Sequence, residues 1–240
     1  MTPNEQRMME VIDENREKVH KLAKKVWEFK EVGWEEFQSS TLIMNALEKE
    51  GFEVQRGLVG KHPKFHQDID MPTAFKAVFK GKEGGPVIGL MLEYDALPNG
   101  HACGHNLIAA SGFSAALGLK EAFQDIGSVI VYGTPAEEIS PAKQTMWDGG
   151  CFRDIDIALM VHGSVNTAVD ESSLASMNYV VTFHGTAAHP GLFPERGRSA
   201  FGAAQAMPQS EVMLRGTGIR RPGRPFSLHC FSMAMAAEVV

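Results

Sequence analysis

The chain has 240 residues and a formal charge of −6, with 44% apolar and 22% charged residues. That is the balance of a soluble globular protein with room for one large domain, or one domain and part of a second. A mildly acidic surface lacks the basic face that phosphate neutralisation demands, so no nucleic-acid partner is expected. The cysteines, Cys103, Cys151 and Cys230, are an odd, sparse set. They make a poor disulfide framework and fit a reducing compartment. The charged N-terminus lacks the apolar core of a secretion signal, and no uncharged apolar run is long enough for a membrane span. The expectation is a cytoplasmic protein with no membrane partner.

In chain order, residues 5–30 have helical spacing, with Met8, Val11, Ile12, Val19, Leu22, Val26 and Phe29 forming an apolar stripe. A second helix is predicted from Trp34 to Glu50, stopped by Gly51. Strand-like runs come next at Phe52–Val54, Thr73–Phe79, Pro86–Leu92, Ser128–Tyr132 and Ile155–Val161, with helices predicted over Asn106–Phe123 and Pro141–Gly149. Strands separated by helices imply an α/β fold, a mostly parallel sheet sandwiched by helices. Tyr179–His184 reads as one more strand, after which the pattern changes, and a boundary is placed near Ser172. Arg198–Met207 has the makings of a helix. The remainder, broken by Pro222 and Pro225, has no clear periodicity.

In an open α/β sheet, ligands bind beyond the carboxyl ends of the strands. The residues directly after each apolar run are therefore informative. After Val87–Leu92 come Glu93 and Asp95, then His101-Ala102-Cys103-Gly104-His105; after Ser128–Thr134 come Glu137 and Glu138; after Ile155–Val161 comes His162. Three successive strand ends thus release carboxylates, thiol or imidazole at one sheet edge. Two imidazoles and a thiol within HACGH can reach one metal or two adjacent ones, and this donor mixture favours zinc while admitting manganese or cobalt. Adjacent carboxylates point in different directions, so one of Glu137 and Glu138 can bind metal while the other takes a proton from water. Asp95 is placed to hold a ligand histidine through its second ring nitrogen. Glu93 reads as a charge neighbour. His184 and His189 come last, in FHGTAAHP, where small residues permit close backbone approach.

The strings EYDALP, GHACGHN, GTPAEE, MVHG and HGTAAHP, in this order and spacing, resemble metallopeptidase family M-20, the aminoacylase and carboxypeptidase G superfamily. The likeness covers about residues 15 to 200. It leans toward the amidohydrolase branch that holds the aminobenzoyl-glutamate hydrolases and Xaa-Arg (β-alanyl-lysine) dipeptidases. The resemblance implies a di-metal aminopeptidase-like domain over residues 1–171 and the start of an inserted α+β dimerisation domain over 172–200. Residues 201–240 form an atypical tail without a family counterpart. It implies two divalent cations, with Cys103 bridging and His105, Glu138 and His162 completing most of the shell. Glu137 would be the general base for the attacking water, and Asp95 would support the ligands from behind. His189 would reach the partner subunit's site in a homodimer and stabilise the oxyanion. The implied reaction is hydrolysis of an amide bond in an N-acyl amino acid or dipeptide, next to a free carboxylate.

Family members continue well beyond the FHGTAAHP region and supply a last metal-binding histidine near their end. The expectation is a C-terminally truncated member lacking one ligand, and the rival reading is an impaired fragment or pseudoenzyme that binds metal or a partner subunit. A redox or nucleotide-binding α/β protein is disfavoured, because no Gly-rich phosphate loop comes after the first strong strand and no CxxC pair exists.

Overall fold

The computed structural model describes residues 1–140, 142–169 and 181–206. The chain divides into two compact units between Thr167 and Ala168. The boundary expected near Ser172 lies outside the described residues, as do the Pro-rich stretch and tail from Met207 onward.

The first unit opens with two helices where the stripe predicted one. Helix α1, Pro3–Glu14, starts in a capping box in which Thr2 and Glu5 bond each other's backbone, with Pro3 in the first turn. Helix α2 is Arg16–Phe29. Asn15 separates them: its side-chain amide donates to the Val11 carbonyl at 2.9 Å, alongside its own backbone N–H at 3.2 Å. This local competition with the helix ladder is what asparagine offers and the apolar stripe conceals. Helix α3, Phe37–Lys49, begins later than predicted because Trp34 sits at φ 68° in a turn. It stops at Lys49, and after the Glu50 cap comes Gly51 at φ 86°, the predicted stop.

The sheet is five-stranded in the order β1-β2-β4-β3-β5. Its strands are β1 (Glu53–Lys61), β2 (Asp68–Phe79), β3 (Val87–Leu92), β4 (Ser128–Gly133) and β5 (Ile157–Leu159). Helix α4, His105–Phe123, crosses from β3 to β4, and α5, Ala142–Asp148, lies between β4 and β5. Strands β3, β4 and β5 are parallel, whereas β1–β2 and β2–β4 pair antiparallel. Parallelism is thus confined to the three strands linked through helices. The short connection between β1 and β2 permits only a hairpin. Both strands are longer than the apolar runs suggested. Their register shifts between Arg56 and Leu58, with Gly57 at φ 71° packed toward Pro72, which has no N–H to give the ladder.

Alternation along β4 builds a core on each face. Val129 and Val131 join Phe75, Leu90, Leu92 and Phe113 under α1–α4. Ile130 and Tyr132 join Met71 and Met146 of α5 on the other side. Helices therefore cover both faces, as an α/β layering requires. Among the described residues no helix is long and apolar enough to cross a membrane.

In the second unit, Thr186 and Arg198 exchange backbone hydrogen bonds of 2.9 Å, Pro194–Arg196 forms a short 3-10 turn, and residues 200–206 are helical. Of the strand expected over Tyr179–His184, the described part, residues 181–184, is not a strand.

Gly133 faces Phe75 across the β2–β4 ladder, and a Cβ there would lie 2.1 Å from the fully buried ring. Because the ring is enclosed, Gly133→Ala is expected to lower stability by about 1–3 kcal/mol, the usual cost of overpacking. Denaturant midpoints would measure it, and an unchanged midpoint would show that Phe75 can yield.

Candidate metal centre

The parallel strands β3, β4 and β5 end at one edge of the sheet, so the segments after Leu92, Gly133 and Leu159 converge. Thr134 prolongs β4 by donating its N–H and hydroxyl to the Leu92 carbonyl, at 2.8 and 3.0 Å. Beyond Leu92 the side chains alternate. Tyr94 turns into the core, donating its hydroxyl to the Thr73 carbonyl at 2.6 Å, while Glu93 and Asp95 meet His105.

Asp95 is buried and accepts two hydrogen bonds. One oxygen faces His105 Nδ1 at 2.9 Å; the other takes the Glu138 backbone N–H at 2.9 Å. With Nδ1 engaged, His105 aims Nε2 at the carboxylates Glu93, Glu137 and Glu138, at 3.4, 3.7 and 3.7 Å. Cys103 Sγ lies 3.7 Å from His162 Nε2, and the His162 ring stands edge-on to that of His105. Two triads have one donor atom each within 4.8 Å of one another: Cys103, His105 and His162, and Glu93, His105 and Glu137. His105 is common to both.

This donor set fits a divalent cation. Tetrahedral N/O donors at zinc-like bond lengths lie roughly 3.3–3.6 Å apart, and sulfur–nitrogen pairs roughly 3.5–3.7 Å. The observed 3.4 and 3.7 Å fall at those values. The buried atoms His105 Nε2, Glu93 Oε2 and Glu138 Oε1 have no hydrogen-bond partner among the described residues, an arrangement that is costly unless a cation is shared.

The charge state of each group reflects this crowding. Burial, then the charges of Glu138, Glu137 and Glu93, push the Cys103 thiol up to about 11, so it needs a cation to become thiolate at neutral pH. Burial works against a charged His105, but the Asp95 hydrogen bond and the surrounding carboxylates outweigh it and hold its pKa above the usual value. Burial and then Glu93 raise the Glu137 carboxyl, with Lys143 and His105 opposing.

His101 does not join the cluster. Its Nε2 lies 3.0 Å from the Val26 carbonyl, so of the two imidazoles in HACGH only His105 faces the carboxylates. His189, in the second unit, is exposed and accepts the Gly191 N–H at Nδ1, 3.2 Å away.

Three participants carried no sequence signal of their own. Glu93 read as a charge neighbour, yet it is 2% exposed and paired with Lys143 of α5. Glu36, fully buried at the start of α3, accepts the Ala136 N–H at 2.7 Å. Ala136 holds φ 52°, a left-handed turn that swings Glu137 and Glu138 to the edge.

The fold and its gathered donors define a metal-binding α/β domain. No protein-family model matches the chain. The chain is 35% identical over 209 residues to the Xaa-Arg dipeptidase of Mus musculus, covering 82% of this chain and 47% of that protein. It is likewise 35% identical over 224 residues to one of the p-aminobenzoyl-glutamate hydrolase polypeptides of Escherichia coli, covering 82% and 43%. A putative aminohydrolase from methicillin-resistant Staphylococcus aureus shares the fold, with a TM-score of 0.60 at 20% identity, covering 91% of this chain and 59% of that one. The chain belongs to metallopeptidase family M-20. It spans about half the length of the curated relatives it matches.

Asp95→Asn keeps one acceptor but presents an amide donor to either His105 Nδ1–H or the Glu138 N–H. Its metal affinity is expected to fall about 10- to 100-fold, the usual cost of losing such a support, as read by chelator competition. Glu36→Ala strands the buried Ala136 N–H and is expected to cost about 1–3 kcal/mol in unfolding free energy, measured by denaturant titration.

Proposed function

We propose that the protein is a metal-dependent hydrolase that cleaves the amide bond of an N-acyl amino acid or dipeptide. The convergence at one sheet edge of buried His105 Nε2, Glu93 Oε2 and Glu138 Oε1, which have no hydrogen-bond partner among the described residues, supports this reading. Cys103, His105, Glu138 and His162 would hold two divalent cations, with Cys103 shared. A thiol, imidazole and carboxylate set suits zinc, manganese or cobalt. When bound, such cations polarise a carbonyl and acidify water.

The chain's own groups supply the rest. Glu137, whose side chain is 41% exposed, faces outward where substrate and water arrive. It takes the proton from the attacking water and returns it to the leaving amine. Asp95 fixes the His105 tautomer and, through the Glu138 N–H, the position of the neighbouring acid. The substrate class is supported by the relatives' names, dipeptidase and aminobenzoyl-glutamate hydrolase, each denoting an amide to an amino acid. The second unit would begin a dimerisation domain, and His189 would stabilise the oxyanion in the partner subunit's site of a homodimer. The odd, sparse cysteines support a cytoplasmic setting.

The test is turnover of dipeptides and N-acyl amino acids by the purified chain loaded with manganese, zinc or cobalt. Glu137→Gln is expected to cut kcat about 10²- to 10⁴-fold, the worth of a general base, while bound metal stays at the wild-type level. A metal-loaded wild-type chain that hydrolyses none of these substrates would overturn the hydrolase reading.

A further inference from the structure

Of the three acids facing His105 Nε2, Glu93 is the most enclosed, yet one of its oxygens is unaccounted for. Lys143 takes Oε1. Oε2 has no hydrogen-bond partner among the described residues and lies 3.4 Å from His105 Nε2, an atom in the same condition. A hydrogen bond between a carboxylate and a protonated imidazole would draw them to about 2.7–2.9 Å. The wider gap instead matches two donors around one tetrahedral cation, roughly 3.3–3.6 Å apart. Lys143 cannot fill this role, because it reaches the other oxygen from α5.

We propose that Glu93 is a further protein ligand of the cation centre, its Oε2 and His105 Nε2 binding the same ion. The proposal rests on the metal-centre reading above. Lys143 occupies Oε1 and leaves Oε2 to face the imidazole, and its ammonium partly offsets the crowding of Glu93, Glu137 and Glu138. Glu93 is thereby a donor that completes coordination on the buried side, whereas Cys103 and His162 lie on the exposed side.

The experiment titrates Co²⁺ into the metal-stripped chain, reading affinity by competition with a chromophoric chelator and Cys103 ligation by the thiolate charge-transfer absorption. Glu93→Gln preserves shape and can still accept from Lys143. It is expected to weaken Co²⁺ binding by at least the roughly 10- to 100-fold that loss of an outer support alone costs, with the thiolate absorption retained. Lys143→Met keeps the donor and removes a competing positive charge, so its affinity is expected to equal or exceed wild type. Thermal unfolding of each metal-free variant establishes that it is folded. If Glu93→Gln does not fold, Lys143→Met still decides, since weakened binding there contradicts the proposal. Unchanged affinity in Glu93→Gln, or equal weakening in both variants, reduces Glu93 to an ion-pair partner and overturns the inference. Cys103→Ser and His105→Ala separate the two levels: if they bind Co²⁺ as wild type does, the centre itself is misassigned, whereas if they lose binding and Glu93→Gln does not, only the role of Glu93 fails.

Discussion

Asp95 accepts hydrogen bonds from two different strand ends at once, His105 Nδ1 on one oxygen and the Glu138 backbone on the other. A buried carboxylate with a single partner would be a liability, since desolvation of a charge is repaid only when its lone pairs are used. Here both oxygens are used, and each use orients a different donor. The imidazole cannot rotate without giving up one bond, and the Glu137-Glu138 turn cannot drift without giving up the other. The position of the centre is therefore set by one side chain anchored where β3 ends.

The turn that Asp95 grips is itself strained. Ala136 occupies the left-handed region at φ 52°, which costs a residue with a Cβ roughly 1–2 kcal/mol. Glu36 offsets this by accepting the Ala136 N–H, a buried bond of comparable worth. The same turn accounts for Gly33. A Cβ there would sit 2.7 Å from Ile139 and 2.9 Å from the Ala136 Cα, so the segment before α3 can lie against the turn only without a side chain. Glu31 fixes that segment from its other end, capping α3 through the N–H groups of Gln38 and Ser39. Thus residues 31–36, far from the motifs in sequence, form the wall behind the acids.

What could be read in the sequence was whatever local periodicity and strand-end chemistry encode. The parallel core strands, α4, and the meeting of Cys103, His105 and His162 at one edge, with Glu138 3.7 Å from His105, follow from apolar runs and the residues that terminate them. Three things escaped for physical reasons. The α1–α2 break depends on one Asn side chain that does not interrupt the apolar stripe. The β1–β2 hairpin extends through polar residues because its outer half is exposed, so hydrophobicity understates its length. His101 looks equal to His105 in HACGH, but only tertiary contact with the α2 carbonyl of Val26 decides which ring faces the acids.

The charge inventory explains why these contacts must be so tightly made. Glu93, Asp95, Glu137 and Glu138 lie around one imidazole, and the ammonium set against them is that of Lys143. Like charges at such separations repel more strongly in a low-dielectric interior than in water. Folding alone would relieve this by raising carboxyl pKa values, the direction found at Glu137, or by protonating His105, whose pKa is also raised. A single added proton cannot serve both Glu93 Oε2 and Glu138 Oε1, which have no hydrogen-bond partner among the described residues. A divalent cation answers the charge and the unused lone pairs together, so binding one should stiffen the sheet edge as well as equip it. The stability of this domain and the occupancy of its centre are on that account one linked quantity.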